Sequence, residues 1–132
     1  MEIKLTPTES EEFFYNALCN GLGYISNHGL SLETNEDEYQ KAKHKLGTEK
    51  PGIMICYEDV LMEILRSGGK LTLIDEEDDD SEYTKSITLE DIHNNVQTTP
   101  TKFLLQMITE NDDADTADVI LQSVFYKEII FG

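Results

Sequence analysis

Basic residues are scarce in this chain: 10 of its 132 residues are Lys or Arg, against 27 Asp or Glu, for a formal net charge of -17 at pH 7. A surface of that sign repels phosphate, so nucleic acid and anionic membranes are excluded as partners held through a broad electrostatic footprint. Basic partners are favoured instead. Cysteine is rarer still, and Cys19 and Cys56 show no paired spacing. That excludes a disulfide framework and leads us to expect two free thiols filling buried positions in a reducing cytosol. No apolar run in the sequence reaches the roughly 18 residues that a membrane-spanning helix needs. The opening MEIKLTPTESEE lacks a basic segment followed by an apolar stretch, so no secretory signal is visible and a cytoplasmic location is expected.

Several chemistries are missing as well. His28, His44 and His93 share no zinc-ligand spacing with one another or with either cysteine. Gly21, Gly23, Gly68 and Gly69 lack the lysine and hydroxyl that a phosphate loop requires. Cys56 has Glu58 and Asp59 beside it, carboxylates that oppose a reactive thiolate. No catalytic residue, metal ligand or cofactor site is therefore assigned, and the chain is not expected to be an enzyme.

What is present is enough apolar content, 39% of residues, to fill one core, and 132 residues suit a single domain spanning 1–132. Thr6, Pro7 and Glu9 form a helix opening with a capping box, followed by an apolar stripe of Phe14, Ala17, Leu18, Gly21, Leu22 and Ile25 that predicts a helix from Pro7 to about Ser26. Gly29 suits the left-handed stop. Asn35 is placed to cap a polar helix reaching Leu46, in which acidic residues precede lysines as the helix dipole favours. The stretch 47–52, with Pro51, reads as a loop. Tyr57, Val60, Leu61, Ile64 and Leu65 then mark a clear amphipathic helix ended by Gly68 and Gly69.

Leu71–Asp75 and Tyr83–Leu89 read as the strands of an antiparallel hairpin, with Leu71, Leu73, Ile87 and Leu89 facing inward. Helices follow at Leu89–Val96, after Thr99-Pro100 with a stripe of Phe103, Leu104, Met107 and Ile108, and after 110–115 with Ala117, Ile120, Leu121, Val124 and Phe125. The expected fold is α+β: a mainly helical single domain of five to six helices with one antiparallel β-hairpin.

The hairpin's connection is the densest expression of the chain's charge. Asp75, Glu76, Glu77, Asp78, Asp79, Asp80 and Glu82 crowd into eight positions. A calcium loop counted from Asp75 puts Asp80 where glycine is needed and Ser86 where the bidentate glutamate is needed; counted from Asp78 it puts Tyr83 and Leu89 there. A nuclease hairpin fails too, because Glu82 and Lys85 stand three apart rather than two and the surface repels DNA. These seven residues are the candidate contact surface for a basic protein partner. Ile129, Ile130 and Phe131 are a second candidate, since apolar residues at a chain end dock either in their own core or on a partner, a second copy included.

The segments SEEFFYNALCNGLGYI, CYEDVLMEILRSGGKLTLID, SITLEDIH and TADVILQSVFYKEIIFG resemble a family of small, acidic, uncharacterised proteins of gut Bacteroidales genomes and their mobile elements. The resemblance implies a cytosolic setting and a phage or plasmid context, with no catalytic motif. The leading functional expectation is a non-enzymatic protein-interaction protein. An acidic nucleic-acid mimic that inhibits a nuclease or DNA-binding protein is the alternative, and a small-molecule pocket or enzyme involving Tyr15, Tyr24, Cys56 or His93 is a third.

Overall fold

The computed structural model describes residues 3–78 and 80–131. Helix α1 (Pro7–Asn27) opens as its sequence predicts. The Thr6 hydroxyl accepts the Glu9 amide at 3.1 Å, and the Glu9 carboxylate accepts the Thr6 amide at 2.9 Å. At its other end Gly29, at φ 81°, adopts the left-handed conformation that costs glycine little and turns the chain into strand β1 (Leu30–Glu33). Asn35 caps α2 (Glu36–Glu49), its side chain accepting the Glu38 amide at 3.1 Å. After α3 (Tyr57–Arg66) come β2 (Leu71–Asp75) and β3 (Lys85–Ile87). The chain then forms α4 (Leu89–Asn95), which tightens into a 3-10 turn at Val96–Thr98, followed by α5 (Thr101–Ile108) and α6 (Ala114–Tyr126).

The fold is α+β and mainly helical, as expected, but the sheet is larger than a hairpin. Strand β1 joins it in the order β1-β2-β3, antiparallel throughout, with Leu32 opposite Leu73 and Leu71 opposite Ile87. Only four residues, Leu30–Glu33, make β1, too few for alternation to stand out from the helix end before it. Two boundaries and one buried face also differ. Helix α2 continues through Gly47 and Thr48 to Glu49 because its main-chain ladder is unbroken, with Lys50 N still bonded to Leu46 O at 2.9 Å. Strand β3 is shorter than Tyr83–Leu89. The Thr88 amide is drawn to the Asp91 carboxylate at 2.8 Å, which makes Leu89 the first residue of α4. On α5 the buried pair is Leu104 and Met107, while Ile108 is half exposed.

The core has α6 at its centre. Every residue from Thr116 to Phe125 is buried, polar ones included. A helix buried on all sides must satisfy its polar side chains internally, and α6 does so. Thr116 donates to Gln106, Ser123 donates to the Val119 carbonyl at 2.8 Å, and Asp118 and Gln122 have partners described below. Against α6 lies α1, and the approach is close: a methyl added at Gly21 would sit 2.9 Å from the Ala117 Cβ and 3.0 Å from Leu121 Cδ1. Phe14, Leu18 and Ile25 fill the space on either side, each at most 1% exposed.

Glycine inside a helix costs about 1 kcal/mol relative to alanine, so an alanine that merely fits is stabilising. Gly23, on the same helix, has nothing within 4 Å of an added methyl. Gly23→Ala is therefore expected to raise stability by about 0.5–1 kcal/mol. Gly21→Ala is expected to lower it, because the clash with Ala117 outweighs the propensity gain. Thermal unfolding of both variants checks the contrast, and a stabilised Gly21→Ala chain would contradict the packing described.

Candidate functional site

The hairpin tip is held by its own side chains in a period of three. Asp75 Oδ1 accepts the Glu77 amide, Asp78 Oδ1 the Asp80 amide, and Ser81 Oγ the Tyr83 amide, at 3.0, 3.0 and 2.9 Å. The carbonyls of the same three residues accept from Asp78, Ser81 and Thr84, at 3.2, 3.0 and 3.1 Å. Each is a local side-chain turn that substitutes for a strand ladder. The tip is closed by the Asp75 amide donating to Thr84 Oγ1 at 3.1 Å and anchored by the Glu76 amide donating to the Gly29 carbonyl at 3.0 Å.

The acidic residues therefore divide. Asp75 and Asp78 shape the backbone, whereas Glu76, Glu77, Asp80 and Glu82 are exposed to solvent. Asp79 lies outside the described residues.

At the chain's end, Ile129 is 45% exposed, while Ile130 and Phe131 are partly buried and docked on the protein's own core. Gln122 of α6 binds the main chain of both. Phe131 stacks on His28, and that histidine is paired with Asp118 at 3.1 Å. Tyr83 and Tyr126 flank the same ring. The Tyr126 hydroxyl donates to the Tyr83 carbonyl at 2.7 Å; burial, with the charge of Asp75 and the neighbouring Tyr83, pushes its pKa up to about 12.

Of the four residues named for a small-molecule site, Tyr15 lines a groove of about 330 Å³ between α1 and α3, with Asp59, Glu11 and Arg66 among others, while Cys56 and His93 bond to residues of that lining. Cys56 Sγ donates to Asp59 Oδ2 at 2.9 Å and stands 3.5 Å from the Tyr15 hydroxyl. Glu11 is bound from two sides, by His93 at 2.9 Å and by Arg66 at 3.2 Å. Hydrogen bonds to Cys56 and Asp59, followed by burial, push the Tyr15 phenol far above its ordinary range. Tyr24 belongs elsewhere: nine residues along α1, about 180° round the helix, it faces Asp115, whose charge raises its pKa. The cysteines also depart from expectation. Cys19 is exposed and Cys56 only half-buried, both free, because the polar seam that Tyr15 and Asp59 form is where these positions fall. Partial desolvation at this exposed position is the main cause of the raised Cys19 pKa, with the Glu58 carboxylate adding to it, so its thiolate is disfavoured.

Among the described residues no three His, Cys, Asp or Glu side chains converge to hold a metal ion, and no helix is long and apolar enough to cross a membrane. No protein-family model, curated protein or solved structure matches the chain. Sequence reasoning missed Gln122 and Asp118, which sit at polar positions among the apolar residues of α6. Their only signal was that polar residues interrupt a stretch otherwise fit for a core.

The Cys56 thiol, followed by Tyr15 and the Cys56 amide, holds the Asp59 carboxyl below its ordinary 3.8. A carboxylate so depressed stabilises the fold above its unfolded pKa and loses that contribution as pH falls through the folded value. Asp59→Asn is therefore expected to lower the melting temperature at neutral pH, and the gap from wild type should close as pH drops below about 4. Melting curves across that range test the sign, and a gap that widens in acid would reverse the assignment.

Proposed function

We propose that this chain is a non-enzymatic interaction protein that engages a basic surface of a partner protein through the carboxylates of its hairpin tip. One observation carries the reading: two aspartates and a serine fix the tip's backbone, leaving Glu76, Glu77, Asp80 and Glu82 exposed on a turn that is already formed. Binding groups held on a preformed turn lose less conformational entropy on association. Opposite charge on the partner steers the encounter and makes it salt-sensitive. A binding rather than catalytic role is supported at the α1–α3 groove, where the Cys56 thiol is engaged by Asp59 and the Glu11 carboxylate by Arg66 and His93. The cytoplasmic, mobile-element setting implied by the resemblance to small acidic Bacteroidales proteins belongs to the same proposal.

The test separates surface charge from turn structure. The variant E76Q/E77Q/D80N/E82Q keeps Asp75 and Asp78. It is expected to melt at the same or a higher temperature, since like charges are relieved. Immobilised wild-type chain should enrich basic proteins from lysate, and the enrichment should fall roughly tenfold with the variant. It should also fall in about 0.5 M salt, where the screening length shrinks to a few ångström. Undiminished capture by the variant would sink the proposal.

A further inference from the structure

Residues 130 and 131 occupy a site built from other parts of the fold. Gln122, at 0% exposure, directs its carboxamide at them. Its Oε1 accepts the Ile130 and Phe131 amides, both at 2.8 Å, and its Nε2 donates to the Phe131 carbonyl at 3.0 Å. One side chain thus supplies the acceptor and donor that a neighbouring strand would, reading the main chain of an extended segment. The phenyl ring completes the recognition, stacked on His28 at 5.0 Å and meeting Tyr83 edge-on at 5.4 Å. The walls of this site keep their own anchors: His28 is held by Asp118, and Tyr126 by the Tyr83 carbonyl. Without a segment in place, the Gln122 carboxamide would lose all three hydrogen bonds.

We infer that this is a receptor site for an extended Ile-Phe segment, filled within the chain by residues 129–131 and open to the same segment of a second copy. The link that leads into it is suited to exchange. Lys127 ends α6 in the left-handed conformation at φ 62°, and Lys127, Glu128 and Ile129 are exposed, so the link itself can change direction without displacing core contacts. The face beside it also permits approach. An open cleft of about 540 Å³ adjoins the segment, and its lining carries both signs of charge, Glu82, Asp91 and Glu128 with Lys85 and Lys127. A second copy approaching there meets less repulsion than at the acidic tip of this chain, whose net charge is -17. Exchange conserves every contact of the closed form, which makes it a low-cost route to a dimer. It is independent of the acidic tip, and either can fail without the other.

The experiment uses the full chain carrying Phe131→Ala, which empties the ring site, and a labelled peptide of residues 127–132. The variant is expected to bind the peptide saturably. Wild type should bind it at least roughly tenfold more weakly, because its own segment fills the site. A peptide with alanine for phenylalanine should bind neither. Light scattering is expected to show wild type, but not Phe131→Ala, moving to dimers as concentration rises. In wild type itself, mixed labelled and unlabelled copies should show Phe131–His28 contacts between molecules. Failure of the variant to bind, or binding indifferent to the peptide's phenylalanine, would overturn the receptor. Peptide binding with a wild-type chain that stays monomeric and shows no intermolecular contact would overturn the second copy as occupant and give the site to another protein's segment.

Discussion

The contact between α1 and α6 is the constraint on which the other elements depend. At Gly21 the two helices approach so closely that no side chain fits between them, and Ala117 opposite is the smallest residue that still favours a helix. That closeness places Phe14, Leu18 and Ile25 against the apolar residues of α6. It also sets the C-terminal end of α1, and with it His28 and Gly29, beside the middle of α6. From there β1 starts, so the position of the sheet follows from the helix pair rather than from the hairpin's own sequence. The Glu76 amide closes the relation by binding the Gly29 carbonyl at 3.0 Å, which ties the acidic tip to the end of α1.

A helix surrounded by the core, in a chain this acidic, raises a question of polar accounting. Four polar side chains lie buried on α6, and each is matched to a partner brought from elsewhere or from its own previous turn. Two of these partnerships face outward. Asp118 holds His28, and His28 offers its ring to Phe131; Gln122 holds the main chain next to that ring. The docked segment and the buried polar groups are thus one arrangement. Charge is handled differently at the tip, where carboxylates act partly as backbone acceptors. Asp75 and Asp78 are consumed by the turn, and the neighbours that cannot reach an amide remain free for solvent or a partner.

Much of the fold was legible in sequence because it is local. Thr6 with Glu9, Asn35 with Glu38 and the stripe from Val60 to Leu65 act within a few residues, so spacing alone predicts them. Strand β1 was not legible, since Leu30–Glu33 is defined by pairing with Leu71–Asp75, some forty residues on. The continuation of α2 past Gly47 was hidden for a related reason: glycine weakens a helix without forbidding it, and the intact ladder to Lys50 decides. The acidic run was visible, but not its division into turn-forming and exposed residues, which depends on which carboxylates meet an amide two positions on.

The sequence by itself determined the class of fold, the helix starts and the sign of the surface. Each of these is set by composition or by contacts within a turn of chain. Tertiary structure alone decided that Tyr15 and Asp59 meet at Cys56, that Glu11 joins His93 to Arg66, and that Gln122 faces the segment at 130–131. Those contacts join residues that only the folded backbone brings into reach, and the direction of a buried side chain is fixed by what packs around it.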